Sequence, residues 1–109
     1  MIAALSDYAD IPMALTGKQK HHLRGLAHSL KPVVMIGANG ITEAVIAELD
    51  QALNTHELVK VKLPATEKDE KQAAITELCT ATGAEDVQSI GRVVVLFRPN
   101  IESKISLPR

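Results

Sequence analysis

The sequence predicts an α/β (α+β) fold in which helices pack on a mixed four-stranded sheet, with the element order α-β-α-β-α-β-β. Three observations lead to this prediction. Segments with apolar residues at helical spacing alternate with short runs of β-branched residues. Prolines, glycines and helix-capping residues stand at the junctions. The 109 residues, 46% of them hydrophobic and 23% charged, suit one domain with an ordinary core.

The first helix is predicted from Gly17 to about Leu30, with Thr16 as its N-cap. Its apolar stripe follows the i, i+3, i+4, i+7 spacing: Leu23, Leu26, Ala27 and Leu30. A basic edge of the helix follows from residues four apart: Lys20, Arg24 and His28. Pro32 ends the helix, and the V-V-M-I run at 33–36 predicts a short buried strand.

The middle of the chain predicts a helix, a strand and a second helix. The helix runs from about Thr42 to His56 and has these residues on one face: Ile41, Val45, Leu49, Ala52 and Leu53. Residues 58–63 alternate, with Val59, Val61 and Leu63 on one face and Lys60 and Lys62 on the other. The third helix of the chain spans about 68–82, is stopped by Gly83, and has four inward residues: Ala74, Ile75, Leu78 and Ala81.

Two strands and a tail complete the predicted order. Residues 86–90 lead through Gly91 into an apolar strand at 92–98 that has an arginine at each end. The junction at Gly91 is short enough for a hairpin. From Pro99 onward the sequence predicts an extended tail.

Composition excludes several classes of protein. No apolar run approaches the roughly 20 residues that span a bilayer. The N-terminus lacks a basic region and carries Asp7 and Asp10, so it is not typical of a secretory signal. Cys79 is the single cysteine, which permits no internal disulfide and fits a reducing compartment. We therefore expect a cytoplasmic protein in which Cys79 is a packing residue.

Charge is segregated along the chain although the net charge is only −1. Residues 17–40 contain four basic residues, three histidines and no acid, whereas residues 41–58 contain four acids and no lysine or arginine. Residues 87–109 are basic again, with Arg92, Arg98, Lys104 and Arg109 against Glu102 alone. Such segregation can present a positive face to phosphate, and the alternative is an ordinary solvated surface.

The turn Gly37-Ala38-Asn39-Gly40 joins the predicted buried strand to the start of a helix. Glycines permit a positive φ and a close approach of another backbone. The N–H groups and partial positive charge of the helix N-terminus suit a phosphate. The G-x-x-G spacing alone is weak, and a plain strand-to-helix turn is the alternative. The basic first helix and Lys31 precede the turn, which favours the phosphate interpretation.

Enzyme chemistry finds little support in the sequence. The four histidines form no H-E-x-x-H motif, and neither a G-x-x-x-x-G-K-[ST] loop nor a G-x-S-x-G elbow is present. No buried acid–base pair can be identified, so we expect no catalysis, no metal and no cofactor. Tyr8 and Phe97 are the only aromatic residues. Any RNA recognition should therefore use backbone and shape rather than stacking of bases on aromatic rings.

Six blocks of sequence, in order, closely resemble the CRM (chloroplast RNA splicing and ribosome maturation) domain family. The blocks are L-T-G-K-Q-K at 15–20, L-A-H-S-L-K-P-V-V at 26–34, I-G-A-N-G-I-T at 36–42, H-E-L-V-K-V-K at 56–62, I-G-R-V-V-V-L-F-R-P at 90–99 and K-I-S-L-P-R at 104–109. The last block is similar to the bacterial single-domain YhbY proteins. The resemblance covers residues 15–109, which we take as the domain.

The resemblance implies a KH-like fold, similar to the C-terminal domain of bacterial translation initiation factor three. It also implies association with ribosomal RNA in precursors of the large ribosomal subunit. The G-x-x-G loop of the family maps onto Gly37 and Gly40. Residues 1–14 fall outside the resemblance, as a flexible extension or as sequence upstream of a start at Met13.

These inferences together give a set of expected RNA-binding residues: Lys18, Lys20, Arg24, His28, Lys31, Gly37, Ala38, Asn39, Gly40, Lys60 and Lys62. We expect a monomer that binds RNA and neither DNA nor a membrane. The alternative is a protein-interaction module that uses its sheet and its acidic second helix without binding RNA directly.

Overall fold

Seven elements follow one another in the predicted order. The structure is a computed structural model that describes residues 15–65, 67–100, 105 and 107. Its elements are α1 (Gly17–Ala27), β1 (Pro32–Met35), α2 (Glu43–His56), β2 (Leu58–Lys62), α3 (Lys68–Thr82), β3 (Glu85–Ile90) and β4 (Val93–Phe97). This order confirms the predicted α-β-α-β-α-β-β pattern. The expected N-terminal extension, 1–14, and most of the expected tail lie outside the described residues.

The four strands form one mixed sheet in the order β1-β2-β4-β3. β1 and β2 are parallel, whereas β2–β4 and β3–β4 are antiparallel, which confirms the predicted mixed sheet. One edge of the sheet, here called the turn edge, carries the ends of all four strands that adjoin the glycine turn and the β3–β4 hairpin. The opposite edge carries Leu58, Phe97 and Glu85.

The sheet has two sides with separate hydrophobic clusters. α2 and α3 cover one side, here called the α2/α3 side, where the cluster contains Val34, Ile36, Leu49, Leu53, Val59, Val61, Leu63, Ile75, Leu78, Ala84, Val94 and Leu96. α1 covers part of the other, here called the α1 side, where the cluster contains Leu23, Ala27, Leu58, Val87, Val95 and Phe97. Leu15, Ile105 and Leu107 pack against this second cluster. The alternation along β2 sends residues to both sides.

α1 begins with a capping box and is shorter than predicted. The N–H of Gln19 donates to Thr16 Oγ1 at 3.1 Å, and the N–H of Thr16 donates to Gln19 Oε1 at 3.0 Å. The predicted four-residue apolar stripe is half wrong. Leu23 and Ala27 are buried, but Leu26 and Leu30 are 41% and 38% exposed. α1 packs over β2 and β3 and leaves the side chains of β1 on the α1 side largely exposed.

The prediction of a buried strand at 33–36 is half wrong. Ile36, just beyond β1, is buried as predicted. Only Val34 of β1 is buried, whereas Val33 and Met35 are 49% and 66% exposed. β1 is an edge strand, and α1 covers its α1 side only in part. All four residues of the run are apolar, so the sequence gives no sign that one side of the strand is exposed. The alternation is seen only in the burial of the side chains.

The remaining elements agree closely with the predicted bounds. α3 ends at Gly83 in the left-handed conformation, as predicted. Its inward face differs by one position from the prediction, because Ala81 is exposed and Thr82 is buried. The Thr82 hydroxyl is satisfied there, since it donates to the carbonyl oxygen of Leu78 at 2.7 Å. The hairpin at Gly91 is confirmed, and no helix in the described ranges is long and apolar enough to span a bilayer.

Candidate nucleic-acid interface

The glycine turn follows β1 and leads into α2. The N–H of Gly40 donates to the carbonyl oxygen of Gly37 at 3.0 Å, which closes a four-residue turn. Gly40 has a φ of 74°, a conformation that glycine adopts without the steric cost of a Cβ. Gly37, Ala38 and Asn39 are exposed, and nothing lies within 4 Å of where a Cβ on Gly37 would stand. The turn therefore offers open backbone that a phosphate can approach.

The N-terminus of α2 stands directly behind this turn. Thr42 is the N-cap, and its Oγ1 accepts a hydrogen bond from the N–H of Val45 at 3.2 Å. The first-turn N–H groups without helical partners give this end a partial positive charge. Glu43 lies in the same turn and offsets part of that charge. Binding of an anion here thus depends on the cations that surround the turn.

Two cations flank the turn along the turn edge. Lys62 lies opposite Met35 in the β1–β2 pair, and its carbonyl oxygen accepts from the N–H of Ile36 at 2.9 Å. Arg92 is exposed in the β3–β4 hairpin, and its carbonyl oxygen accepts from the N–H of Leu63 at 2.6 Å. Sequence reasoning included Lys62 but missed Arg92. The hairpin itself was visible, but the strand order that places β4 beside β2 was not.

A hollow on the α1 side brings together three of the expected residues. Arg24 of α1 and His28, which caps its C-terminal end, line it together with Lys60 of β2, and Ile90 and Val93 form part of its apolar floor. We call this the Ile90 hollow; its volume is about 280 Å³. No residue of the glycine turn lines it. The basic edge of α1 therefore faces the middle of the sheet and not the turn itself.

A second hollow lies between the end of α1 and β1. Leu26, Leu30 and Val33 form apolar walls, and Lys31 and Lys60 stand among the lining residues. We call this the Leu30 hollow; its volume is about 420 Å³. Lys60 lines both hollows, so the two are neighbours on the same side of the sheet.

The start of α1 lies away from these groups. The N–H of Leu15 donates to Glu85 Oε2 at 3.1 Å, which holds the beginning of the helix near the edge opposite the glycine turn. Lys18 and Lys20 follow within the first turn of α1. The structure thus brings Arg24, His28, Lys31 and Lys60 together but leaves Lys18 and Lys20 at the far end of the basic surface.

Six cations of the α1 side and the turn edge have no acidic partner among the described residues. In the part of the chain that the structure describes, the following residues form no ion pair: Lys20, Arg24, Lys31, Lys60, Lys62 and Arg92. Arg98 is different, although the sequence grouped it with the basic C-terminal stretch. Its Nη1 lies 2.6 Å from Asp50 Oδ1 and 2.7 Å from the carbonyl oxygen of Thr82, and its Nη2 donates to Asn54 Oδ1 at 2.7 Å. Arg98 joins β4 to α2 and α3.

The acidic residues lie mainly on the other side of the sheet. The exposed faces of α2 and α3 carry Glu43, Glu48, Asp69, Glu70 and Glu77. The segregation of charge along the chain is therefore largely also a segregation in space: most cations lie on the α1 side and most carboxylates on the α2/α3 side, where Lys68 and Lys71 of α3 are exceptions.

The surroundings of Cys79 do not activate its thiol. Burial, together with the nearby carboxylates of Asp86 and Glu85, raises the pKa of the Cys79 thiol from 9.0 to about 11. A thiol with a raised pKa is a poor nucleophile at neutral pH. No group of three or more metal-ligating side chains occurs among the residues with a described position.

Comparisons with known proteins identify the family and similar proteins. Residues 15–98 match the family model of the CRS1 / YhbY (CRM) domain. A protein of Haemophilus influenzae named "RNA-binding protein" is 53% identical over 95 residues, which are 87% of this chain and 96% of that protein. A Pseudomonas aeruginosa protein named "Probable RNA-binding protein" is 48% identical over 88 residues, 81% of this chain and 85% of the relative.

A solved structure extends the comparison to the fold. The solution structure of a Staphylococcus aureus protein, described as a candidate RNA-binding protein, superposes with a TM-score of 0.76 at 41% sequence identity. The match covers 87% of this chain and all of that one. The arrangement of three helices on a mixed four-stranded sheet is thus shared with a protein of similar sequence.

Proposed function

The chain belongs to the CRS1/YhbY (CRM) domain family, and we propose that it is a non-catalytic, cytoplasmic RNA-binding factor. It acts as a monomer that associates with ribosomal RNA in large-subunit precursors and assists their assembly. The observation that carries the proposal is the group of cations on the α1 side and turn edge that pair with no acid of the described chain. Relatives of similar length are named for RNA binding.

Phosphates of the RNA backbone are the proposed ligands of this surface. Arg24, Lys31, Lys60 and Lys62 supply charge, and the exposed turn lets a phosphate approach backbone N–H groups closely. Each neutralised phosphate releases counterions, so the affinity should fall linearly with the logarithm of salt concentration. Such contacts position the RNA without distinguishing its bases.

Sedimentation of the protein with ribosomal particles tests the proposal. We expect the protein to travel with large-subunit precursors at low salt and to remain at the top of the gradient at high salt. A protein that stays at the top at every salt concentration would contradict the ribosomal part of the proposal. Crosslinking in cells, followed by sequencing of the bound RNA, would then identify any other RNA partner.

A matched pair of double variants tests which side of the sheet binds. Lys60→Gln with Lys62→Gln removes two charges from the α1 side, whereas Lys68→Gln with Lys71→Gln removes two from α3. Each pair combines one half-buried and one exposed lysine. The first pair should weaken RNA binding and reduce the salt slope by about 1.4 for a single strand, while the second leaves both unchanged. Equal effects of the two pairs would mean that RNA binding depends on the total positive charge and not on which side of the sheet carries it.

The glycine turn has its own test. Replacing Ala38 and Asn39 with Asp places two negative charges on exposed positions of the turn, where they should repel phosphate without disturbing the core. We expect a clear loss of RNA affinity with an unchanged unfolding midpoint. Unchanged affinity would reduce the turn to a connection between β1 and α2.

A second candidate function rests on the other side of the molecule. A shallow groove of about 450 Å³ lies between α2 and α3, with Ile46 and Ala47 in its walls and Glu43 and Glu77 at its rim. This groove favours the alternative of a protein-interaction module that binds a basic partner. Charge reversal at Glu43 and Glu77 would then abolish association with particles, whereas the RNA-binding proposal expects it to persist.

A further inference from the structure

The exposed apolar side chains of the protein are concentrated on the α1 side. The large apolar residues that are clearly exposed in the described ranges are Leu26, Leu30, Val33, Met35 and Ile90. Three of them wall the Leu30 hollow, and Ile90 lies in the Ile90 hollow. Exposed apolar surface gathered in one place usually marks a binding site. Binding of phosphates alone gives no reason for it, because phosphates need charge and not apolar walls.

Cations accompany the apolar walls in both hollows. Lys31 and Lys60 line the Leu30 hollow together with His56, and Arg24 and Lys60 line the Ile90 hollow together with His28. No aspartate or glutamate of the described chain lines either of them. A ligand that fits has flat apolar faces joined to negative charge. This combination is the chemistry of a nucleotide with an unpaired base.

Resting on the proposed function, we propose that the two hollows receive two unpaired nucleobases of one RNA strand, with the phosphate between them at Lys60. The Leu30 hollow, at about 420 Å³, lies within the range of small-ligand sites, roughly 300–1,000 Å³, and the Ile90 hollow, at about 280 Å³, lies just below it. Lys60 is the residue common to both hollows. It is therefore placed to contact the link between two neighbouring nucleotides.

The Ile90 hollow also contains groups that recognise bases without aromatic rings. The planar guanidinium of Arg24 can stack on a base, as arginine does in other RNA complexes. His28 and Gln88 line the same hollow and offer hydrogen bonds to a base edge. The scarcity of aromatic residues thus does not prevent base recognition; aliphatic walls and an arginine take their place.

Recessed hollows of this kind favour single-stranded RNA over a duplex. Bases within a helix are stacked and paired, so they cannot enter recessed apolar sites, whereas bases of loops and single strands can be splayed out. A surface that contacted phosphates alone would accept both forms. Preference for single strands separates the two modes of binding.

Abasic oligonucleotides provide the decisive experiment. Binding of the full chain to a labelled ten-nucleotide single-stranded RNA is measured by fluorescence anisotropy. The same backbone without bases, and a duplex of the same length, serve as comparison ligands. We expect the intact strand to bind about tenfold or more tightly than either, since burial of apolar base surface is lost in both. Equal affinity for the intact and abasic strands would overturn the base hollows while leaving phosphate binding intact. Failure to bind any of the three would instead contradict the proposed function itself, and the base hollows with it.

Two variants test whether the base-dependent part of the RNA affinity comes from the two hollows. Val33→Thr and Ile90→Thr keep β-branched side chains on partly exposed strand positions, so the fold should tolerate them. Ala73→Ser, exposed on α3, is the control. Each threonine variant should lower the affinity for the intact strand several-fold and leave the abasic affinity unchanged. If RNA affinity stays at the level of the parent protein, the hollows bind something else, such as an apolar protein segment, and the inference is wrong.

Discussion

The two sides of the sheet are covered to different degrees. Two helices bury the α2/α3 side, where Val59 and Val61 of β2 are inaccessible. One short helix covers only part of the α1 side, where the intervening Lys60 and Lys62 remain accessible at least in part. Because side chains of a strand alternate in direction, neighbouring residues of β2 contribute to the core and to the candidate interface. Stability and binding are therefore divided between the two sides of one sheet.

The division of stability and binding between the two sides also accounts for how their cations are paired. The α1 side and turn edge carry cations without acidic partners in the described chain, whereas Arg98, which points toward the helices, is paired with Asp50. Unpaired cations contribute little to folding, and their accumulation on a half-covered surface indicates a role in binding an anionic partner.

The largest expected difference between the sides concerns the free energy of unfolding. Leu96→Ala removes a fully buried side chain on the α2/α3 side and should cost about 2–5 kcal/mol. Val33→Ala, at a 49% exposed position on the α1 side, should cost less than about 1 kcal/mol. Urea unfolding followed by circular dichroism measures both. Similar losses would show that the α1 side around β1 is packed more tightly than its exposure indicates.

The two arginines at the ends of β4 give the next contrast. Arg98→Met removes the ion pair with Asp50 and a hydrogen bond to the carbonyl oxygen of Thr82, at a cost of about 2 kcal/mol. The cost stays moderate because the Asp50 side chain is half exposed. Arg92→Met, at the exposed hairpin, should leave stability unchanged and weaken RNA binding. The reverse assignment of effects would contradict the division between the two sides.

The two glycines of the turn should differ by a smaller amount. Gly40→Ala places a Cβ on a residue with a φ of 74° and should cost about 1 kcal/mol of stability. Gly37→Ala has neither a positive φ nor a neighbour within 4 Å, so its stability should be unchanged. If a phosphate approaches the turn closely, Gly37→Ala still lowers RNA affinity. An unaltered affinity would mean that no ligand comes near this backbone.

The sequence predicted the order and nearly all bounds of the elements because periodicity and capping are local properties. Thr16, Thr42 and Gly83 stand at the helix ends that their chemistry indicates. Exposure of Leu26, Leu30 and Val33 was not predicted, because it depends on where α1 crosses the sheet. Apolar spacing shows which residues can be buried, but only tertiary packing decides which are covered.

The residues of the candidate site were likewise predicted only in part. The cations near the turn and along α1 could be selected from charge alone, yet Arg92 joins them only through the β2–β4 pairing. Arg98 looked equally basic in sequence and is taken by Asp50, a residue 48 positions away. Long-range pairing of this kind has no signal in a single sequence.

The smallest effect on folding and RNA binding is expected at Cys79, half-buried on the α2/α3 side. Cys79→Ala should leave RNA affinity unchanged, since the residue is remote from the α1 side. The pKa of its thiol, raised from 9.0 to about 11 mainly by burial and further by Asp86 and Glu85, makes stability depend on pH. The unfolded thiol ionises first as pH rises, so the parent protein should lose stability between pH 9 and 11 in excess of the Cys79→Ala variant. Identical pH profiles of the urea midpoint, or rapid thiol labelling of the folded protein at pH 7, would show that Cys79 is more accessible than its packing implies.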